Sequence, residues 1–172
     1  SATSEAQNAS NLAEAEAASG AKAPSAERLP QVTYADNVEA EYQNQHMPGG
    51  CELISLDIAM KASDVPVDID ELVNNYLDLN GDYATGYAGT PYDVGGGFPP
   101  GIVSAANGYL EALGSPLRAY DLTGTSFDEL LKYVERGYPV LVWSTMGLDR
   151  PQYIEHVDVN EVDVVPWYEN EH

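Results

Sequence analysis

The chain has 172 residues, the length of one domain, and 44% of them are apolar, enough to build a core. With 28 acidic residues against 7 basic, its net charge of −21 excludes the basic footprint of a nucleic-acid binder and disfavours docking on anionic membranes. One cysteine excludes an internal disulfide framework and a cysteine-based zinc site within the chain.

The same charge suits solubility or a basic substrate, but an acidic secreted or salt-adapted proteome explains it equally, and we prefer that reading. No uninterrupted apolar run reaches membrane-spanning length. The first residue is Ser1 rather than Met, so the chain reads as processed or trimmed. Residues 1–30 are rich in Ala, Ser and Glu and hold no aromatic residue. Such a tract cannot bury enough surface to offset its ordering entropy, which predicts a disordered linker with at most a weak helix at 11–18. In secreted proteins a tract of this kind separates a signal or lipid anchor from the working domain. The working domain is therefore expected at 31–172.

Val32, Tyr34 and Val38 suggest an extended entry segment, and residues 41–50 an approach loop. Cys51 follows Gly49 and Gly50, which let the backbone turn tightly and leave space beside the sulfur. Leu53, Ile54, Leu56, Ile58 and Met60 recur at helical spacing, so Cys51 should open a helix ending near Ala62. Free N–H groups at a helix start favour a thiolate and lower the thiol pKa. Gln45, six residues upstream, can aim its amide at the oxyanion formed when Cys51 attacks a carbonyl. The plainer alternative is a buried cysteine used as a small hydrophobe.

Residues 64–66 read as a turn. Asp68 and Glu71 form a capping box for a second helix, with Ile69, Leu72, Val73, Tyr76 and Leu77 on its apolar face. Residues 80–100 read as a long loop with six glycines and with Tyr83, Tyr87, Tyr92 and Phe98. Long loops are often functional, and aromatics on flexible glycines suit a surface that grips an extended peptide; a tolerated insertion fits equally. Asp78, Asn80 and Asp82 place oxygens at alternate positions as a calcium loop does. Tyr83 and Gly89, however, stand where that loop needs a glycine and a bidentate acid, so no metal is expected here.

A third helix is expected over 101–113, after Pro99 and Pro100 and before Gly114. A short strand is expected at 117–122. Ser126 and Glu129 form a second capping box, with Phe127, Leu130, Leu131 and Val134 turned to the core. Gly137 stops that helix. Residues 138–145 read as a strand that is apolar on both faces, through Val140, Leu141, Val142 and Trp143. Helices first and strands after make the expected class α+β.

The run Asn44-Gln45-His46-Met47-Pro48-Gly49-Gly50-Cys51-Glu52-Leu53-Ile54-Ser55-Leu56 resembles the nucleophile segment of the bacterial C-thirty-nine-like peptidases. These are papain-like cysteine peptidases related to bacteriocin leader-processing enzymes. Ala119-Tyr120-Asp121-Leu122-Thr123-Gly124, Ser126-Phe127-Asp128-Glu129-Leu130-Leu131 and Gly137-Tyr138-Pro139-Val140-Leu141-Val142-Trp143 extend the resemblance. It implies a papain-like fold, a helical part followed by an antiparallel sheet. It also implies Cys51 as nucleophile and Gln45 in the oxyanion hole, with no cofactor.

Three histidines are candidates for the base. His46 lies in the approach loop, and His156 reads as a plain strand residue. The resemblance implies a Trp five residues before the catalytic His, as Trp167 stands before His172, and His172 is assigned on that ground. It further implies an orienting Asp and two or more strands beyond His172. On this reading the chain is truncated at its own catalytic histidine, and the 172 residues should be inactive or nearly so as a peptidase.

The expected function is therefore hydrolysis of peptide bonds by a secreted or cell-surface bacterial cysteine peptidase. A narrow cleft flanked by Gly49, Gly50 and the 80–100 loop would suit substrates small or glycine-rich near the cut, as the related leader peptidases prefer. The alternative is a non-catalytic peptide- or wall-binding module on the same fold. A spacer role fits the first thirty residues but does not need the Cys51 motif.

Overall fold

The computed structural model describes residues 38–43, 46–150, 153–159 and 163–168. The tract at 1–30, the entry residues Val32 and Tyr34, Gln45 and His172 lie outside them. The described elements are α1 (Cys51–Ala62), α2 (Ile69–Tyr76), β1 (Ala88–Gly89), β2 (Gly95–Gly96), α3 (Pro99–Ala112), α4 (Phe127–Glu135), a 3-10 turn (Met146–Leu148), β3 (Tyr153–Val159) and β4 (Asp163–Tyr168). This is an α+β chain.

Helix α1 is the centre. Leu53, Ile54, Leu56, Ala59, Met60 and Ala62 are all buried on it, so it is covered almost all round. Leu72 and Val73 of α2 and Ile102, Ala105, Ala106, Tyr109 and Leu110 of α3 complete the core. Asp57 is the one buried charged residue on α1, and Lys61, one turn on, donates to its Oδ2 at 2.7 Å. The same ammonium donates to Glu41 Oε1 at 2.7 Å, tying the approach segment to the helix. Burial raises the Asp57 pKa, and the two carboxylates raise that of Lys61.

Both capping boxes form by half. Asp68 Oδ1 accepts the Glu71 N–H at 3.0 Å. The Asp68 N–H goes instead to the Tyr109 hydroxyl, 2.9 Å away on α3. Ser126 Oγ likewise accepts the Glu129 N–H at 3.3 Å, while the Glu129 carboxylate takes Lys132. Helix α3 starts two residues earlier than expected, because Pro99 and Pro100 fit the first turn, where no N–H donor is needed. Gly114, with φ +67°, closes it, and the Ser115 N–H reaches Leu110 O at 2.9 Å.

Four expectations fail. Residues 80–100 are no structureless loop. They fold back on themselves, with the Tyr87 N–H on Asp78 O at 2.8 Å and the short antiparallel β1–β2 pair. Tyr87, Ala88 and Phe98 are buried in the process. The calcium-like oxygens serve this turn: Asn80 Oδ1 accepts the Asp82 N–H, and Asp82 Oδ1 the Ala84 N–H, each at 2.9 Å.

Residues 117–122 form no strand. The side-chain amide of Asn107 pairs with both the N–H and the carbonyl of Ala119, at 2.8 and 3.0 Å, and so replaces a strand neighbour. Residues 138–144 run without ladder pairing, with one isolated bridge at Thr145. Leu141 and Trp143 pack on the core while Val142 is exposed, so only one face of this segment is covered. Phe127 does not face the core either. It opens α4 in solvent, and Tyr133 is the buried residue of that helix.

The antiparallel sheet forms later, where β3 pairs with β4 and His156 stands opposite Pro166. His156 is thus a strand residue, as expected. Among the described residues no helix is long and apolar enough to cross a membrane.

Candidate active site

Cys51 is the first residue of α1, with Gly50 as its N-cap. The turn before it is held from three sides. The Gly50 N–H donates to Met47 O at 3.1 Å and the Gly49 N–H to Pro91 O at 3.0 Å. The Gln43 amide donates to Met47 O and Pro48 O at 3.0 and 2.6 Å, so this nearby glutamine braces the turn rather than the reaction. Gly49 has no room for a side chain, since a Cβ there would sit 2.7 Å from Asp93 O. The helix ladder starts with the Leu53 and Ile54 N–H groups on Gly50 O, leaving those of Cys51 and Glu52 beside the sulfur.

The thiol is not acidified in this setting. Burial and the neighbouring Glu52 carboxylate push it from 9.0 up to about 12. The Cys51 and Glu52 N–H groups pull the other way, but more weakly. The expected lowering by the helix start is thus overturned. Burial first, and then a carboxylate 3.2 Å from the sulfur, outweigh the partial positive charge of the first turn.

Glu52 is the residue that sequence reasoning missed. Its Oε2 accepts from the Cys51 thiol at 3.2 Å and faces the Tyr87 hydroxyl at 3.4 Å. Its Oε1 accepts the Gly97 N–H at 3.0 Å. The Tyr87 hydroxyl donates to the Gly49 carbonyl, and burial, with the Glu52 charge, raises its pKa. The Gly97 carbonyl accepts from Trp143 Nε1 at 3.1 Å. One residue, Gly97, therefore joins α1, the glycine-rich turn and the 138–144 segment through its N–H and its carbonyl. The available signal was an acid directly after the cysteine, on a helix start that faces a glycine run.

Beside Cys51 lies a shallow pocket of about 160 Å³, lined by Cys51, Glu52, Ser55, Leu141, Val142, Trp143 and Ser144. Its wall is the apolar 141–144 segment. None of the glycines expected to narrow the cleft lines it.

The family model of the Peptidase_C39 like family matches residues 35–164. The chain belongs to that family. The suspected resemblance is thereby settled at the family level. No curated protein and no solved structure matches the chain.

The match includes Gln45, Cys51 and His156 but ends before Trp167 and His172. Gln45 and His172 lie outside the described residues. His46 has Nε2 3.2 Å from Asp70 Oδ1 and its ring edge-on to Tyr92. Among the described residues no three His, Cys, Asp or Glu side chains converge as a metal site.

Proposed function

We propose that this protein is a cysteine peptidase of papain-like fold, in which Cys51 attacks the peptide carbonyl. The observation that carries the reading is Cys51 itself: the only thiol of the chain, at the start of the central helix, facing a pocket, in a member of a peptidase family. The thiol proton passes to an imidazole, which we assign to His172. The Cys51 sulfur bonds to the carbonyl carbon, and the oxyanion rests on the Gln45 amide and the Cys51 N–H. The imidazolium then returns the proton to the leaving amine, and water releases the acyl group. The substrate is a peptide or protein, and the setting is extracytoplasmic.

The test is amidase turnover by the full-length protein on a peptide library, with Cys51→Ala as the blank. Gln45→Ala should lower kcat by about 10²–10³, the usual cost of one oxyanion donor. Separate His172→Ala and His156→Ala variants identify the base by which one abolishes turnover. If Cys51→Ala turns over as the parent does, the reading is wrong.

A non-catalytic peptide-binding role is the second reading. It is favoured by one observation, the hydrogen bond from the Cys51 thiol to Glu52, which works against a thiolate. Full peptide binding by Cys51→Ala, with no turnover by the parent, would select it.

A further inference from the structure

We propose that Glu52 is a positioning residue that keeps the Cys51 nucleophile locked as a neutral thiol until a cation docks against the sulfur. This inference rests on the reading of Cys51 as the nucleophile. Three contacts carry it. The thiol hydrogen points at Glu52 Oε2, 3.2 Å from the sulfur. The other carboxylate oxygen is pinned by the Gly97 N–H at 3.0 Å. The Gly97 carbonyl is in turn held by the indole N–H of Trp143 at 3.1 Å. Glu52 therefore cannot swing away when the thiol ionises.

Loss of the thiol proton would turn the 3.2 Å contact from a hydrogen bond into a meeting of two anions. The other groups facing this position do nothing to relieve it. Tyr87 and, beyond it, Tyr83 come from the glycine-rich turn and bring no positive charge, and residues 141–144 bring no titratable side chain. The raised thiol pKa agrees with the geometry. A neutral thiol is also slow to oxidise, because the thiolate is the reactive species. When the base takes the thiol proton it becomes a cation, and that cation offsets the Glu52 charge. The nucleophile then exists only as an ion pair with its docked base.

Because Cys51 is the only cysteine, its signals can be read without separation. Iodoacetamide labelling of the 172-residue chain should be slow near neutrality and still rising at pH 10. Glu52→Gln keeps the shape and an acceptor for Gly97 but removes the charge. It should move the labelling profile down by about one pH unit, roughly a tenfold faster reaction at pH 8. Val142→Ala opens the same wall without touching the charge or the Glu52–Gly97–Trp143 contacts and should leave the profile in place. An unshifted Glu52→Gln profile, or an equal shift in Val142→Ala, overturns the proposal.

Should Glu52→Gln not fold, the S–H stretch in the Raman spectrum of the parent decides. A band lowered by a carboxylate acceptor supports the proposal, and a free-thiol band overturns it. Neither readout uses turnover. A chain with the expected shift that cleaves nothing keeps Glu52 in this role and loses the peptidase reading. A chain that cleaves with an unshifted profile does the reverse.

Discussion

At the scale of single residues, the glycines of this chain do two different jobs, and the difference predicts different costs. Gly101 on α3 lies against the backbone of Gly86, where an added Cβ would meet the carbonyl oxygen at 2.3 Å. Backbone cannot move aside as a side chain can. Gly101→Ala should therefore cost about 1–3 kcal/mol, as overpacking does. Gly114 has nothing within 4 Å but holds φ +67° at the end of α3. Gly114→Ala should cost about 1 kcal/mol through backbone strain alone. Urea midpoints of the two variants, at unchanged slope, make the comparison. A cost at Gly101 no larger than at Gly114 would contradict the close packing of α3 on the glycine-rich turn. Cys51 was legible at this scale because one thiol followed two glycines and preceded an apolar helix pattern. Glu52 was not, because what defines it is contacts with Gly97 and Tyr87, some forty residues away in sequence.

At the scale of elements, local chemistry was the best guide to the helices. Asp68 and Ser126 cap α2 and α4 as their spacing requires. The second halves of both boxes were lost to tertiary partners, Tyr109 and Lys132, which no local pattern announces. Strands fared worse. At 117–122 a side-chain amide took the place of a neighbouring strand, and at 138–144 packing on the core prevailed over pairing. Lys61 shows how elements are joined, because its ammonium bridges Asp57 on α1 and Glu41 on the approach segment. Asp57 and then Glu41 hold the ammonium charged, so its folded pKa lies above the ordinary 10.5. A raised lysine pKa means that the stabilisation is fully present below the ordinary value. It is lost as pH rises through the folded value. Lys61→Met should therefore melt lower than the parent at pH 7, by up to ~1 kcal/mol for so exposed a lysine, and the gap should close above about pH 10.5. A gap that stays constant to pH 11.5 would show that the lysine stem, rather than its charge, holds the approach segment.

At the scale of the whole molecule, charge is the dominant fact. Acidic residues outnumber basic ones four to one, 28 against 7. Among the described residues the lysine–carboxylate pairs are those of Lys61 and Lys132, while Arg118 spends its guanidinium on the carbonyls of Ser115 and Leu117. The excess of acidic over basic residues is a net repulsion, which a compact state feels more strongly than an unfolded chain does. Salt acts on both terms in opposite directions. It weakens the few ion pairs, and it screens the many repulsions once the Debye length falls to about 10 Å near 0.1 M. With so few pairs against so many like charges, the second effect must win. The urea midpoint at pH 7 should rise between 10 mM and 0.5 M sodium chloride, and the Lys61→Met gap should narrow over the same range. Glu52 sharpens the test, because its carboxylate is tied to Gly97 and the thiol at hydrogen-bond range, inside the reach of screening. The midpoint should therefore move with salt while the labelling profile of Cys51 stays nearly still. If both move together, the thiol is responding to the field of the whole acidic surface rather than to the one carboxylate beside it.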